Sequence, residues 1–376
     1  NSGTIAKKRN AAAAAQGRPN VQIILARVLA LACTLCCSWP AAGSDDNANP
    51  RHQLHFDCAG SGTPTVLLDA GLGGSSLEWT FVKEHLRSLT RICTFDRAGY
   101  GGSDMGPEPR TSSRITNELY LLLDDAAISP PYVLVGHSFG GYNMQLFARR
   151  YPFLVVGLVL IDASHPDQVE RFLQPPLGLL TAPSSRWGIV QFREPPPPSR
   201  LLPEPIRRSI AAQARRWKTR RTIASELLAF RDSARQLKRA PPHAALPLLV
   251  ITRGRVEGPR DKKRLLLERM WLELQTELAA SSTTSAHLIA TEAGHNVHIE
   301  QPELVAFGIA LLVKRHRYSK TPLHGAKPFS AAPDALRVLE DATWLTDNLE
   351  LHPERPPTQM TKWDAGDSGI VRPGAP

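Results

Sequence analysis

Cysteine is scarce in this sequence, and its arrangement does not indicate a metal site. Only five cysteines occur in 376 residues, and three of them are clustered at Cys33, Cys36 and Cys37. No histidine or cysteine partner stands at the spacing of a zinc site. The segment Gly71-Leu72-Gly73-Gly74 is not followed by the Gly-Lys-Ser/Thr of a phosphate-binding P-loop. These absences argue against a zinc site and a phosphate-binding P-loop, and we predict a chain that needs no metal and no organic cofactor. No internal repeat is present either.

The charge of the chain is positive but unevenly placed. The net charge is +10, which would suit nucleic acid or an anionic membrane as a partner. Many basic residues fall within 165–245, and no nucleic-acid-binding motif is present. We interpret this stretch as a solvated face, with contact to anionic lipid headgroups as the second interpretation. A nucleic-acid partner is therefore not predicted.

Residues 1–49 have the pattern of a signal peptide or an N-terminal anchor followed by a linker. Basic residues, among them Lys7 and Arg18, precede an apolar run over 21–39, and small residues follow it. A buried helix is the alternative, but nothing before it could form its partner layer. The pattern predicts export to the periplasm or outside, or attachment to a membrane through this segment.

Between residues 50 and 317, short apolar strands alternate with helices. The predicted strands are 52–58, 65–69, 91–95, 132–136, 155–161, 246–252 and 286–291. Most are apolar on both faces, which predicts an α/β domain with a mostly parallel, doubly wound sheet covered on two sides. Residues 165–245 contain helical stretches and no clear strand, so we expect a helical lid inserted there. Residues 318–376 show little periodicity and are predicted to be a disordered tail.

The sequence Gly136-His137-Ser138-Phe139-Gly140 is the strongest chemical signal in the chain. A predicted strand precedes it and a predicted helix follows it, so the motif falls on a strand-to-helix turn. Such a turn strains the serine backbone, and glycines two residues before and after it let strand and helix pass closely. The serine hydroxyl is then exposed near the positive end of a helix dipole, as a nucleophile requires. A glycine-rich turn without chemistry is the alternative.

The order of these pieces resembles the α/β-hydrolase superfamily over roughly residues 52–316. Within it, the chain looks like bacterial serine hydrolases that carry three particular loops. These loops read Ala-Gly-Leu-Gly-Gly-Ser-Ser, Asp-Arg-Ala-Gly-Tyr-Gly and Asp-Ala-Ser-His-Pro-Asp, at 70–76, 96–101 and 162–167. Because parallel strands place their carboxyl ends along one edge of the sheet, the resemblance implies a site at that edge.

The resemblance implies that Ser138 is the nucleophile and that His295 is the general base. His295 stands in a Gly-His step directly after the last predicted strand. His298, three residues further on, and His165, in another loop at the sheet edge, are competing candidates. His137 should point away from the site and serve as a packing residue.

Two residues compete for the acid that orients the histidine. Much of the superfamily places this acid after the strand predicted here at 246–252, where the chain offers Glu257. The subgroup that the chain resembles suggests Asp162 instead, at the end of the strand after the nucleophile helix. We favour Asp162 and retain Glu257 as the alternative acid.

The oxyanion hole should consist of two backbone N–H groups. Phe139, the residue after the nucleophile, supplies one of them. Leu72, in the loop after strand 65–69, is the expected second donor. The superfamily often has His-Gly just before this position, whereas this chain has Ala70-Gly71, which leaves the choice of the second donor open.

The predicted reaction is hydrolysis of a carboxylic ester, or of an amide or thioester, through an acyl-enzyme on Ser138. A peptidase or a C–C bond hydrolase of the same fold is one alternative, and a non-catalytic ligand-binding receptor is another. The expected partner is a small-molecule ester with an apolar acyl part. The apolar lid residues could line its pocket or form the core of the lid; they are Leu177, Leu179, Leu180, Trp187 and Phe192.

Cys58 and Cys93 fall on two predicted strands that lie side by side in the strand order expected from the resemblance. The two side chains could therefore face each other. A disulfide is plausible if the protein is exported. Two buried free thiols are the alternative, because cysteine is often a core residue.

Overall fold

The computed structural model describes residues 52–173, 197–242, 244–256, 262–320, 360–361 and 370–373. The predicted N-terminal segment 1–49 and Glu257 lie outside the described residues. So do the lid positions Leu177, Leu179, Leu180, Trp187 and Phe192. Among the described helices, none combines the length and the apolar character needed to cross a membrane.

A central sheet organises the described part of the chain. Its strands are β1 (Phe56–Ala59), β2 (Thr65–Asp69), β3 (Ile92–Phe95), β4 (Tyr132–His137), β5 (Val155–Ile161), β6 (Leu248–Arg253), β7 (Ser285–Ala290), β8 (Met360–Thr361) and β9 (Ile370–Pro373). The strand order is β1-β3-β2-β4-β5-β6-β7-β9-β8. Strands β2 to β7 pair in parallel, and β1 pairs antiparallel with β3. The predicted mostly parallel sheet is therefore confirmed.

Strands β8 and β9 fall within the segment that the sequence predicts as a tail. Strand β9 pairs in parallel with β7, with Ile370 opposite His287, and β8 pairs antiparallel with β9. The sequence predicts a disordered tail over 318–376, and these two short strands lie within it. Both have too few residues to show a periodicity of their own, which explains why the sequence pattern did not indicate them.

Helices follow most of the strands, as the alternating pattern predicts. They are α1 (Thr80–Leu86), α2 (Ser112–Asp125), α3 (Gly140–Arg150), α4 (Gln168–Leu173), α5 (Glu204–Arg215), α6 (Trp217–Leu228), α7 (Phe230–Arg239), α8 (Lys262–Ala280), α9 (Val297–Glu300) and α10 (Pro302–Lys320). Two turns of 3₁₀ helix, Ser76–Trp79 and Pro152–Leu154, complete the described elements.

The two faces of the sheet bury separate apolar cores. Successive side chains of a strand point to opposite faces, so Val133 and Val135 belong to one core and Leu134 belongs to the other. The first core includes side chains of α1 and α10, and the second includes side chains of α2, α3 and α8. Each fully buried valine or leucine contributes about 1.5–3 kcal/mol to stability. Burial on both faces explains why the strands are continuously apolar.

The regular elements described between β5 and β6 are all helices. Helices α4 to α7 lie there, and no strand is found among the described residues between β5 and β6. Phe230, at the start of α7, packs on two aromatic rings next to the serine turn: the ring centroids lie 5.6 Å from Phe139 and 5.0 Å from Tyr142. The insertion therefore contacts the same edge of the sheet as the serine motif.

Cys58 and Cys93 form a disulfide. They are paired directly across strands β1 and β3, which are neighbours as expected. Cys93 is fully buried, whereas Cys58 on the edge strand is exposed. The bond thus fastens the outermost described strand at this end of the sheet to its neighbour.

Removing this bond should destabilise the fold. Because the disulfide closes a loop with a sequence separation of 35, we expect Cys58→Ser to lower the free energy of unfolding by about 2–4 kcal/mol. Urea denaturation of the full chain with and without reductant measures this. Reductant should destabilise the wild type and leave Cys58→Ser unchanged. A wild type that is insensitive to reductant would contradict the bond.

Candidate active site

The serine motif forms a tight turn between β4 and α3. Ser138 has a φ of +51°, the left-handed region that a side chain rarely adopts. A Cβ atom on Gly140 would lie 2.4 Å from the Asp69 carbonyl oxygen, and one on Gly136 would lie 2.6 Å from the Gly140 carbonyl oxygen. Both contacts are shorter than a real Cβ tolerates. The strained serine and the two obligatory glycines have the geometry that the motif predicts.

The carboxyl end of β5 clamps this turn. The Ser138 N–H donates to the Ile161 carbonyl at 3.1 Å, and the Ser164 N–H donates to the Ser138 carbonyl at 2.9 Å. Asp162 lies between these two contacts, fully buried and with a φ of +39°. Backbone strain at two neighbouring polar residues is a feature that clusters at functional sites.

His295 reaches Asp162 from the loop after β7. Its Nδ1 lies 2.6 Å from Asp162 Oδ2, and its side chain is 37% exposed whereas the carboxylate is 0% exposed. Since a carboxylate accepts a hydrogen bond, the geometry assigns the imidazole proton to Nδ1. The ring nitrogen without a proton is then Nε2, the atom that would act as a base. The structure therefore brings together the histidine and the acid that the sequence favoured.

Two residues that the sequence did not indicate hold the Asp162 carboxylate. Arg253, the last residue of β6, contacts Oδ2 at 2.5 Å, and Trp271 Nε1 on α8 donates to Oδ1 at 2.6 Å. Burial raises the pKa of Asp162, but Arg253 and the hydrogen bonds from His295 and Trp271 outweigh it, so the pKa lies well below its usual range. Asp162 is therefore ionised beside His295.

The loop after β2 passes directly beside the serine. A Cβ atom on Gly71 would lie 3.1 Å from the Ser138 Cβ and 3.0 Å from His137 Nδ1. Within the described residues, no hydrogen bond is found from the backbone N–H of Leu72 or of Phe139. Both predicted oxyanion donors thus belong to segments next to Ser138 and are not used by the fold.

The other three histidines considered from the sequence make no hydrogen bond to Asp162 within the described residues. His137 is buried beneath His295, and its Nε2 contacts the His295 carbonyl at 2.9 Å. His298 is fully buried between the rings of His137 and Trp79, at centroid distances of 4.3 and 4.5 Å. The ring of His165 instead lies beside two carboxylates outside the serine turn, 3.9 Å from Asp167 Oδ2 and 3.7 Å from Glu277 Oε2. The structure thus places His295, and neither competitor, against Asp162.

His165, Asp167 and Glu277 bring potential metal-ligand atoms within 4.8 Å of one another. Two cations already occupy the carboxylates: Lys238 contacts Asp167, and Arg171 donates to Glu277 at 2.8 Å. A divalent cation would have to displace both of them. The cluster is therefore a surface salt-bridge network, and we assign no metal to it.

Buried histidines should make the fold sensitive to acid. Burial and the neighbouring His295 lower the pKa of His137 from 6.5 to about 3. Between these two values the unfolded chain binds a proton that the folded chain does not, so stability falls as the pH falls through this window. One such histidine contributes a slope of about 1.4 kcal/mol per pH unit. We expect the free energy of unfolding of the wild type to fall more steeply than that of His137→Asn.

Urea denaturation of both proteins from pH 7 to pH 4 measures the two slopes. Burial raises the pKa of Glu78 from 4.5 to about 7, and this group acts in the opposite direction because the folded chain holds its proton longer. The difference between wild type and variant removes the contribution of Glu78. Equal slopes would show that His137 is protonated in the folded chain.

Comparison with known proteins assigns the chain to a family. Residues 66–306, more than half of the chain, match the model of the alpha/beta hydrolase family. The chain is 28% identical to the uncharacterized protein YqjL of Bacillus subtilis over 251 residues, covering 66% of this chain and 83% of YqjL. It is 37% identical over 107 residues to the probable transporter efuK of Hormonema carpetanum, covering 27% of this chain and only 15% of that protein.

Among solved structures, the enol-lactonase from Burkholderia xenovorans LB400 superposes with a TM-score of 0.51 at 20% sequence identity. The superposition covers 71% of this chain and 98% of the lactonase. A likeness at this identity concerns the fold alone. The sheet, the serine turn and the family match lead to the same conclusion: the chain is a member of the alpha/beta hydrolase family.

Proposed function

We propose that this hydrolase is a serine esterase that cleaves a carboxylic ester through an acyl-enzyme on Ser138. The observation that carries the proposal is the contact between His295 Nδ1 and Asp162 Oδ2 at 2.6 Å, next to a strained serine turn. A buried, ionised carboxylate fixes the imidazole tautomer and stabilises the imidazolium that forms when the histidine accepts a proton. The same three residues could also serve an amide or a thioester.

Acylation would begin with the Ser138 hydroxyl. His295 Nε2 removes the hydroxyl proton as the oxygen attacks the carbonyl carbon of the ester. The N–H groups of Leu72 and Phe139, which make no hydrogen bond within the described part of the chain, would stabilise the negative charge that develops on the carbonyl oxygen. The tetrahedral intermediate then collapses, the proton passes from His295 to the leaving alcohol, and the acyl group remains on Ser138.

Deacylation would repeat these steps with water as the nucleophile. His295 takes a proton from the water as it attacks the acyl carbonyl, and returns that proton to the Ser138 oxygen when the acid is released. The hydrogen bond from the imidazole to Asp162 is present throughout both half-reactions.

We propose that the helical insertion acts as a lid over this site. Ile223 on α6 lies against the loop that carries Leu72, since a Cβ atom on Gly73 would lie 3.4 Å from Ile223 Cδ1. The ring of Phe230 packs on that of Phe139, the residue after Ser138. These apolar neighbours favour a substrate with an apolar acyl part.

The disulfide between Cys58 and Cys93 supports a proposal about location. Structural disulfides persist in oxidising compartments and are rare in the cytosol. Together with the basic and apolar pattern of residues 1–49, this favours a protein that is exported or attached to a membrane by that segment.

Two measurements on the full chain test the proposal. A fluorophosphonate probe should label the protein, and mass analysis should locate the label on the peptide that contains Ser138. p-Nitrophenyl esters of graded acyl length should then be hydrolysed, with the preferred length indicating the size of the pocket.

Other outcomes favour the alternatives. A labelled Ser138 without turnover of any ester would favour the peptidase or C–C bond hydrolase, because the serine would be activated but the substrate wrong. A folded protein that no probe labels would contradict an activated serine and favour a ligand-binding receptor.

A further inference from the structure

Arg97 is buried directly under the oxyanion loop, Ala70 to Gly74. Its guanidinium donates to the carbonyl oxygen of Ala70 at 2.6 Å and to that of Gly71 at 2.8 Å. It also pairs with Asp69 at 2.6 Å, and the side chains of Arg97 and Asp69 are 2% and 0% exposed. The planar fork of an arginine can satisfy several acceptors at fixed angles, which a lysine cannot. Arg97 therefore fixes the orientation of two successive peptide groups in this loop.

A second carboxylate reaches Arg97 from the helical insertion. Glu226 on α6, 0% exposed, accepts from Arg97 Nε at 2.9 Å and from its Nη2 at 3.2 Å. Burial lowers the pKa of Arg97, but Glu226 and Asp69 outweigh it and raise the pKa well above its usual value. The guanidinium is therefore charged and is shared between the insertion and the sheet edge.

Tyr100 makes a parallel connection between the same two parts. Its hydroxyl donates to Glu226 Oε2 at 2.6 Å and accepts from the Gly73 N–H at 3.3 Å. Glu226 is thus linked to the loop by Arg97 at Ala70 and Gly71 and by Tyr100 at Gly73. One carboxylate on the insertion is bonded to both residues that shape the loop.

Helix α6 cannot leave its position without breaking the bonds of Glu226 to Arg97 and Tyr100. A Cβ atom on Gly99 would lie 1.8 Å from Thr222 Oγ1, so the helix packs directly on the backbone of the turn that follows Arg97. Lys218 donates to the Ser103 carbonyl at 2.6 Å, and the hydroxyl of Ser225 accepts from the Arg110 N–H at 3.0 Å. If α6 moves, Glu226 must therefore move with it.

The planarity of the peptide bond connects Arg97 to the proposed oxyanion donor. The Gly71 carbonyl and the Leu72 N–H belong to one trans peptide group and point in opposite directions. Because Arg97 binds that carbonyl, the Leu72 N–H points away from Arg97. We propose that Arg97 is a positioning residue for the oxyanion hole, and that Glu226 makes this positioning depend on the seating of α6.

This inference rests on the proposed esterase function and gives the insertion a second role, beyond covering the pocket. When α6 is seated, the cluster contains two carboxylates and one guanidinium, all buried. When Glu226 withdraws, Arg97 loses two of its acceptors and can turn from the loop. A substrate that seats α6 would in this way complete the site that stabilises its own transition state.

Three substitutions test this in the full chain. Arg97→Lys keeps the charge but loses the fork, Glu226→Gln keeps the size but loses the charge, and Tyr100→Phe removes one hydroxyl from a fully buried ring. We expect kcat for a p-nitrophenyl ester to fall by about 100-fold for Arg97→Lys, with KM changed much less, because a transition-state donor is displaced. Affinity for an alkyl boronic acid, which mimics the tetrahedral intermediate, should fall by a similar factor.

Arg110 and Glu118 provide a matched control. They form a buried fork-to-carboxylate pair, at 2.5 and 2.7 Å, that does not contact the oxyanion loop. Arg110→Lys changes only the side chain and keeps the backbone N–H that donates to Ser225 on α6. Arg110→Lys and Glu118→Gln should therefore lower thermal stability as the Arg97 and Glu226 variants do, and leave kcat near the wild-type value. Tyr100→Phe preserves the ring packing, so it is the variant that reports on kcat if Glu226→Gln does not fold.

The outcomes distinguish the positioning role of Arg97 from the proposed esterase function. An Arg97→Lys protein that is folded and retains the wild-type kcat, or whose loss is shared by Arg110→Lys, would overturn the positioning role while leaving the esterase intact. A loss confined to KM would overturn it equally, because ground-state binding would be affected instead. Wild-type protein that no fluorophosphonate labels would overturn the proposed function and this inference together.

Discussion

Replacing Ser138 with alanine is expected to lower kcat for p-nitrophenyl esters by a factor on the order of 10⁶. The change removes one oxygen atom from a position that the backbone already strains into the left-handed region. The oxyanion donors and the pocket are unchanged, so KM should stay near the wild-type value and a small residual rate should persist. Steady-state kinetics with the ester of preferred acyl length measures both parameters.

Ser112→Ala is the matched control for this experiment. Ser112 is a fully buried serine on α2, outside the Gly-His-Ser-Phe-Gly turn, whereas Ser138 is only partly buried. We expect this variant to turn over ester like the wild type and Ser138→Ala to lose fluorophosphonate labelling. A Ser138→Ala protein that keeps more than about one per cent of the wild-type kcat would show that another group is the nucleophile.

The serine turn could be predicted from the sequence because its requirements are local. Gly136 is needed where β4 meets the start of α3, and Gly140 is needed where α3 meets the end of β2; both stand within two residues of Ser138. Strands β2 and β5 were predicted with the bounds that the structure gives, because both are continuous apolar runs that end at polar or glycine-rich loops. The position of Asp162 directly after β5 follows from the same pattern.

The residues that support the site could not be predicted in this way. Arg97 and Glu226 are 129 positions apart, and each lies in a stretch where a charged side chain is usually solvated. Only the packing of α6 on the turn after β3 brings them together. Trp271 is likewise 109 positions from Asp162, and its helix shows no pattern that singles out one indole. Contacts between distant elements depend on tertiary packing, which local periodicity does not encode.

At the end of β6, the structure has a positively charged residue near the place where the sequence offered a candidate acid. The sequence placed a possible acid, Glu257, after β6, where much of the superfamily has its carboxylate. The structure places a cation at the end of β6: Arg253 contacts Asp162 at 2.5 Å and Glu268 at 3.0 Å. The carboxylate partners of this arginine are Asp162, directly after β5, and Glu268 on α8. Glu257 lies outside the described residues.

Asp162→Asn is expected to lower kcat by about 10⁴-fold, or roughly 5.5 kcal/mol of transition-state stabilisation. The asparagine keeps the size of the side chain but removes the charge that stabilises the His295 imidazolium. Its amide group can also donate to Nδ1, which would leave the proton on Nε2 and block removal of the Ser138 proton. The measurement is kcat for the preferred ester, with circular dichroism to verify the fold, since Arg253 loses a buried counterion.

Two further variants give this result its meaning. Trp271→Phe removes the hydrogen bond to Oδ1 and leaves Oδ2, the atom that contacts His295, in place, so we expect a loss of less than about tenfold. Glu257→Gln should have nearly wild-type kcat, because the Asp162 carboxylate already accepts from the imidazole. A loss of several orders of magnitude in Glu257→Gln, together with an active Asp162→Asn, would instead assign the acid to Glu257. Asp162 would then serve only as the buried counterion of Arg253.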